Sequence, residues 1–298
     1  MANGKLRISI GLTLHAASPE NLREYMIKGI DFNKAAGFDA LDFNMALIPK
    51  FAPDTYPELL AEMKEYALSQ GIRFELTHLP FGVTPSSSAE SLENFSKNVY
   101  MCIDAAAVLG VDYAVMHPIA TSVVTYAASP EDEYEADVRF LAPFVEYANK
   151  KGVNIVVENM RLAVENYKKM AGYMPLRRNC HTPKELARVA DTLGTGVCWD
   201  FGHAHICGLK QSESLEYLGS RVKMLHVCDN FGYDDEHLPP YFGNINWEDA
   251  ALGLTKAGYK GLFNFEVGAG KLPADSRENY AQYLIKVAEK ITGMVDVQ

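Results

Sequence analysis

The stretch PKELARVADTLGTGVCWD, from Pro183 to Asp200, states the fold in miniature. Residues 183–193 carry helical periodicity and stop at Gly194, a residue that can take the left-handed C′ conformation. A short apolar run, 196–199, follows at once and ends on a carboxylate, Asp200. Helix, glycine, strand is the α-to-β half of a βα unit. Reading outward in both directions, the same statement recurs. Strand-like runs fall at 7–13, 38–43, 73–77, 112–116, 153–157, 196–199, 222–227 and 262–265. Helix candidates fall at 20–36, 56–70, 89–109, 131–151, 183–193, 212–218, 247–257 and 277–291, many closed by Gly37, Gly71, Gly110, Gly152, Gly194 or Gly258.

Strict alternation predicts a parallel sheet, and eight units is the number that closes it, so the expected fold is an α/β (β/α)8 TIM barrel. An open doubly wound sheet also alternates strands and helices, but the count of eight and the lack of a G-x-G-x-x-G after the first strand disfavour it. No linker interrupts the series, so residues 1–298 are expected to form a single barrel domain. The segment 161–181 is longer than a usual βα loop and is expected to lie over the barrel mouth.

Composition narrows the function. With 48% hydrophobic and 22% charged residues the chain has ordinary globular content. A formal net charge of −10 repels phosphate backbones, which argues against nucleic-acid partners and for a small-molecule substrate. Cys102, Cys180, Cys198, Cys207 and Cys228 are odd in number and scattered, which suits reduced thiols read as small core residues. The N-terminal residues lack an apolar h-region, and no apolar run approaches the roughly 18 residues that span a bilayer, so a cytoplasmic protein without a membrane partner is expected. Neither a G-x-S-x-G elbow nor a Walker loop is present.

In such a barrel the loops after the strands share one face, so the C-terminal ends of different strands converge. Strand three ends in Thr77-His78, strand four in Met116-His117, strand five in Val157-Glu158-Asn159 and strand six in Trp199-Asp200. Strand seven holds Leu225-His226 and strand eight ends in Phe265-Glu266. Alone, a histidine or glutamate there is usually structural or solvated. Together, Glu158, Asp200 and Glu266 around one mouth create a charge conflict that a divalent cation resolves. Mixed His/carboxylate ligation suits manganese, zinc, cobalt or magnesium. His203, Asp235 and His237 add further donors, so five of the eight histidines fall at expected mouth positions, leaving His15, His181 and His205 as bland.

The stretches Glu158-Asn159-Met160, 196–204, His226-Val227-Cys228-Asp229-Asn230, 235–239, 243–247 and Phe265-Glu266 resemble the xylose isomerase-like TIM-barrel superfamily. More narrowly the chain is similar to its sugar phosphate isomerase/epimerase branch, which shares motifs with endonuclease IV. The resemblance implies a metal site of Glu158, Asp200, His226 and Glu266, with Glu158 and Glu266 also the catalytic acid/base pair. His78, His117, His203, Asp235 and His237 fall where relatives bind substrate hydroxyls or additional metals, so one, two or three ions are compatible, with one favoured here. Relatives commonly form dimers or tetramers, which makes a homo-oligomer one expectation while the sequence leaves the state open.

The activity so implied is a metal-dependent isomerase or epimerase of a sugar, sugar phosphate or cyclitol, working by proton transfer through a metal-stabilised enediolate. Arg177 and Arg178 could pair with a substrate anion or simply be solvated. Phe81, Trp199, Phe201, Tyr241, Phe242 and Trp247 could wall a sugar pocket or pack the rim. The same scaffold supports a dehydratase or lyase on a related polyhydroxy carbonyl compound. It also supports a multi-zinc AP endonuclease, against which stand the net charge and the departure of Phe201-Gly202-His203 and Asp229-Asn230 from that pattern. A non-catalytic sugar-binding barrel would show a missing carboxylate, and none is missing.

Overall fold

A computed structural model describes residues 5–14, 21–84, 86–119, 129–162, 178–269 and 272–297. Eight parallel strands alternate with helices. They are β1 (Ile8–Gly11), β2 (Ala40–Asn44), β3 (Phe74–His78), β4 (Tyr113–Met116), β5 (Asn154–Glu158), β6 (Gly196–Asp200), β7 (Val222–His226) and β8 (Phe263–Phe265). The helices are α1 (Leu22–Ala36), α2 (Ile48–Phe51), α3 (Tyr56–Ser69), α4 (Ala89–Leu109), α5 (Pro130–Lys151), α6 (Pro183–Leu193), α7 (Phe201–Ile206), α8 (Gln211–Leu218), α9 (Trp247–Ala257) and α10 (Arg277–Thr292).

The opening segment behaves as its chemistry dictates. Thr182 Oγ1 accepts from the Glu185 amide at 3.3 Å and caps the start of α6. Gly194, at φ 67°, ends the helix with its amide on the Ala190 and Asp191 carbonyls and turns the chain into β6. The eight strands the sequence predicts are all present, in the order β7-β6-β5-β4-β3-β2-β1-β8. Between β7 and β8 the ladder shrinks to a bridge at Val227 and Phe265, where the Val227 amide donates to the Asn264 carbonyl at 2.9 Å and the Glu266 amide to Val227 at 3.1 Å. The result is a nearly closed (β/α)8 TIM barrel.

Strand side chains alternate, and in this sheet one face lines the barrel lumen while the other meets the helices. Ala40, Leu76, Val115, Val156, Cys198, Met224 and Leu262 form a compact apolar plug of their own. Leu41, Phe43, Val157, Trp199 and Phe265 belong to the larger core shared with the helices. Two residues further along each lumen-facing series come Asp42, His78, His117, Glu158, Asp200, His226 and Asn264. The polar layer of the mouth is therefore the next storey above the plug, and the sheet's period of two puts it there. Among the described residues no helix is long and apolar enough to cross a membrane.

Two short helices were not expected. α2 lies in the β2–α3 loop, and α7 begins on the residue after β6. α7 forms because the Asp200 side chain caps it, accepting the His203 amide at 2.5 Å.

Candidate active site

Glu158 is the hub of the mouth. It is 1% exposed, with Oε1 at 3.0 Å from His226 Nδ1 and Oε2 at 3.0 Å from His117 Nε2. His226 Nδ1 also lies 3.3 Å from Glu266 Oε2 and 3.9 Å from Asp200 Oδ2. Ligand atoms of Glu158, Asp200, His226 and Glu266 all fall within 4.8 Å of one another. Those of His78, His117 and Glu158 form a second such group, and Cys228, Asp235 and His237 a third. Among the described residues, His78, His117, Glu158, Asp200, His226, Asp235, His237 and Glu266 thus fall into three donor groups where one ion was favoured, and His203 stands outside them with its Nε2 3.2 Å from Asp235 Oδ2.

Hydrogen bonds to the backbone fix the imidazoles. His78 Nδ1 faces the Leu79 carbonyl at 2.7 Å, His203 Nδ1 the Asn159 carbonyl at 2.8 Å, and His237 Nδ1 the Glu266 carbonyl at 2.9 Å. Each carbonyl accepts a proton from Nδ1, so in the neutral ring Nε2 is left as a bare donor atom. These Nε2 atoms point into the donor groups. That of His78 lies 3.1 Å from His117 Nε2, and that of His203 3.2 Å from Asp235 Oδ2. Lone pairs aimed at carboxylates and at one another repel unless protons or a cation intervene. Histidine nitrogen and carboxylate oxygen in this arrangement fit a divalent ion.

The electrostatics show the same demand. Burial opposes ionisation of Glu158, yet His226 and His117 hold it well below the usual carboxylate range. Asp200 goes the other way, pushed up to about 7 by burial and by the nearby carboxylates of Glu266, Glu158 and Asp235. Burial works against charge on His203, but Asp200 and Asp235 outweigh it and push the ring up to about 10. His226 is also raised well above its ordinary value against its burial, here by Cys198 and by the carboxylates of Glu266 and Glu158. His117 is lowered, chiefly by burial.

A buried carboxylate knots the far side of the site. Asp229 accepts from the amides of Asn230 at 2.9 Å, Tyr241 at 2.9 Å and Ile245 at 3.1 Å, and from Trp247 Nε1 at 3.0 Å. Its own amide and carbonyl pair with Leu238 at 2.7 and 2.9 Å. This folds residues 235–238 back over the mouth and holds His237 at φ 48°. On the near side Asn159 clasps β5 to β6, donating to the Asp200 carbonyl at 2.9 Å and accepting from the Asp200 amide at 2.6 Å.

Some expectations change. Trp199, Phe201 and Trp247 are fully buried and wall no pocket. Trp199 Nε1 instead donates to Gln211 Oε1 at 2.8 Å. Phe81 does reach the site, 59% exposed, with its ring 5.0 Å from His78 and 4.7 Å from His117. Phe242 and Tyr241 sit exposed on the rim. Arg178 lines a cavity of about 240 Å³ together with Phe81, His117, Arg161, His203 and Asp235. Arg177, His15 and most of the 161–181 loop lie outside the described residues.

The sequence reading missed three side chains here. Asp42 lines a second cavity, of about 410 Å³, with His78, His226, His237 and Glu266. Its Oδ2 accepts from Asn264 Nδ2 at 3.0 Å, and burial raises its pKa. Arg161 Nε donates to Asp235 Oδ2 at 3.2 Å. Cys228, read as core, has its sulfur 3.8 and 3.9 Å from the Asp200 carboxylate oxygens. The signal for Asp42 was its place two residues beyond Ala40 on the lumen face.

Two outcomes are expected. At Gly243 an added Cβ would stand 2.3 Å from both the Asn230 carbonyl oxygen and Asp229 Oδ1, so Gly243→Ala should cost about 1–3 kcal/mol and weaken cation binding by displacing the turn that carries Asp235 and His237. Thermal melts with and without added cation measure both. In the protein stripped of cations, His203 titrates in the folded state near 10 against its ordinary 6.5, so its stabilisation is whole below 6.5 and is lost as pH rises toward 10. His226 shifts in the same direction. Tm of chelator-treated protein should therefore fall over that window, and saturating Mn²⁺ or Zn²⁺ should flatten the fall; a Tm independent of pH in the stripped protein would contradict this account.

The chain is 27% identical over 292 residues to the uncharacterized protein MJ1311 of Methanocaldococcus jannaschii, covering 96% of this chain and 92% of the relative. It is 27% identical over 195 residues to the uncharacterized protein y4fM of Sinorhizobium fredii, covering 65% and 58%. Among solved structures it is similar to a D-tagatose 3-epimerase-like protein, at 21% identity and a TM-score of 0.72, over 97% of this chain and 98% of that one. A 3-keto-D-glucoside 4-epimerase from E. coli matches at 16% identity and a TM-score of 0.69, over 95% and 100%. At such identities these structures speak for the fold. The family model described as xylose isomerase-like TIM barrel matches residues 30–290, and the chain belongs to that family.

Proposed function

We propose that this protein is a divalent-metal-dependent sugar or cyclitol epimerase or isomerase, with Glu158 and Glu266 as the proton-transferring pair. One observation carries the reading. Two carboxylates from strands on different sides of the mouth converge on His226 Nδ1, at 3.0 and 3.3 Å, and Glu266 lines the open 410 Å³ cavity. Structural neighbours that are sugar epimerases by name favour epimerisation over the dehydratase and lyase alternatives.

A Mn²⁺, Zn²⁺, Co²⁺ or Mg²⁺ ion held by Glu158, Asp200, His226 and Glu266 would supply Lewis-acid polarisation of a substrate carbonyl. The chain's own side chains do the rest. Glu158, kept ionised by its histidine neighbours, is poised as a base toward the C–H beside that carbonyl. Glu266, 32% exposed at its side chain, meets the cavity from the β8 side and returns a proton. Return to the same carbon on its other face inverts it; return to the adjacent carbon converts aldose and ketose. His78 and His203 are placed to orient substrate oxygens, and Phe81 offers an apolar wall to the sugar's C–H face. A small polyhydroxylated substrate also suits the acidic chain.

Substituting Glu158→Gln or Glu266→Gln should lower exchange of solvent deuterium into an accepted sugar by about 10²–10⁴-fold. The readout is NMR over a panel of ketohexoses, ketopentoses, inososes and their phosphates. Full exchange in both variants would overturn the assignment.

A second reading has its own support. Three donor groups around Glu158 and Asp235 resemble the needs of a multi-metal phosphodiesterase. The net charge of −10 opposes it. Zinc-loaded protein is expected to leave an abasic duplex intact, and incision that scales with bound zinc would reverse the order of the two readings.

A further inference from the structure

We propose that Asp42 is the residue that recognises the substrate on the β1, β2 and β8 side of the mouth. Its carboxylate accepts a hydroxyl of a neutral polyhydroxy compound, in the open place left by Gly11. The inference rests on the sugar reading of the cavity, but not on the proton-transfer step or on any cation.

A directed chain of hydrogen bonds aims Asp42. Ser9 Oγ donates to Asn264 Oδ1 at 2.8 Å, both residues being fully buried. With its oxygen taken, the Asn264 amide presents Nδ2, which donates to Asp42 Oδ2 at 3.0 Å. A carboxylate offers about four acceptor positions. Among the described residues only this one is filled, and Oδ1 is buried with no hydrogen-bond partner. Burial raises the pKa of Asp42 although Asn264 opposes it, as expected of a buried carboxylate short of donors. Had the residue served only to tie β2 to β8, a serine or asparagine could meet Asn264 without the cost of burying a carboxylate.

The neighbouring strand leaves room for the missing donor. Gly11 pairs with Asp42 in the β1–β2 ladder, and its place, two residues beyond Ser9, belongs to the same lumen-facing series. Neither conformation nor packing asks for glycine here. The residue lies in extended strand without a positive φ, and an added Cβ would find its nearest neighbours, Thr13 Oγ1 and the Asp42 carbonyl oxygen, at 3.8 and 3.9 Å. A glycine inside a strand, where a side chain would fit, marks a close approach by something else. Gly11 and Asp42 both line the cavity of about 410 Å³ that Glu266, His226 and Phe81 also border.

Chemistry selects the group that fits. Asp42 and Glu266 border the same cavity, so an anionic group at this end would face two carboxylates, whereas a hydroxyl can donate to Asp42 and still accept from a histidine. A site with an unserved buried acceptor discriminates strongly for the ligand that supplies the donor. Asp42 is therefore a binding residue, distinct from the Glu158 and Glu266 pair assigned to proton transfer.

Isothermal titration of the protein with D-fructose, D-tagatose and scyllo-inosose, and with singly deoxygenated forms of whichever sugar binds, tests this. Asp42→Asn keeps an acceptor for Asn264 and should weaken binding of the parent sugar by about 10–100-fold. Removing one particular hydroxyl from the sugar should weaken binding to the unmodified protein by a similar factor and leave binding to Asp42→Asn unaffected, a coupling that a structural role would not produce. Gly11→Ala should melt no lower than the unmodified protein yet bind the sugar at least about tenfold more weakly, because its methyl group occupies the place beside Asp42. Equal affinity of Asp42→Asn and the unmodified protein, undiminished binding by a folded Gly11→Ala, deoxy sugars that lose the same factor in both proteins, or no binding by any sugar would each overturn the proposal. Binding with this pattern but without deuterium exchange would sink the epimerase reading alone, and exchange whose KM is indifferent to Asp42→Asn would sink this one alone.

Discussion

The mouth of this barrel is organised by one constraint: several acidic side chains share a small, poorly hydrated volume. Glu158 and Asp200 are 1% and 0% exposed, with Glu266 and Asp235 close by. Taking carboxylates out of water costs several kcal/mol each unless positive charge or hydrogen bonds compensate. Arg161 reaches Asp235. The remaining compensation falls to five imidazoles, which answer by holding protons on His203 and His226 far above their ordinary range. Asp200 answers by rising to about 7. Divalent cations would satisfy the same demand with ligands already oriented, because each Nδ1 committed to a backbone carbonyl frees an Nε2.

Rigid supports make such crowding tolerable. Asn159 ties the end of β5 to the end of β6 through both its amide groups, so Glu158 and Asp200 keep a fixed separation. Asp229 gathers four donors and a strand-like pairing with Leu238, which makes the 235–247 segment a packed part of the site rather than a loose loop. Gly202 and Gly243 stand where a Cβ would collide with their neighbours, Cys228 and Asn230 at the first and Asp229 and Asn230 at the second. Local geometry at the mouth is thus set by buried polar contacts, while the plug of Ala40, Leu76, Val115, Val156, Cys198, Met224 and Leu262 supplies the floor.

Much of this was legible in the sequence because it depends on order along the chain. A helix closed by Gly194 and followed by a strand implies where that strand's C-terminal end must lie, and His78, His117, Glu158, Asp200, His226 and Glu266 follow from that alone. Residues whose roles depend on parity or on chain reversal were harder to see. Asp42 stands two residues before the end of β2, so reading only strand ends passed over it, although the alternation from Ala40 points it into the lumen. Cys228 lies two residues beyond β7, and its neighbours Asp235 and His237 return to it only through the Asp229–Leu238 pairing, a contact no local pattern encodes. The sequence left Trp199 and Trp247 open between walling a pocket and packing, and the structure packs them, with Gln211 and Asp229 satisfying their indole N–H groups in the core.

The same charge economy bears on which chemistry the mouth favours. Its acidic groups are part of a chain of net charge −10, so an anionic phosphodiester approaching it meets repulsion until cations neutralise the carboxylates. A neutral polyhydroxy carbonyl compound meets no such barrier. It finds hydrogen-bonding imidazoles, an exposed aromatic face at Phe81 and a carboxylate, Glu266, partly open to the cavity. Proton transfer beside a carbonyl needs one ionised base and one well-placed cation, whereas phosphodiester cleavage asks several cations to offset both the site's charge and the substrate's. Three donor groups give the barrel room for the heavier demand, but the unbalanced charge of the chain weights the site toward the lighter one.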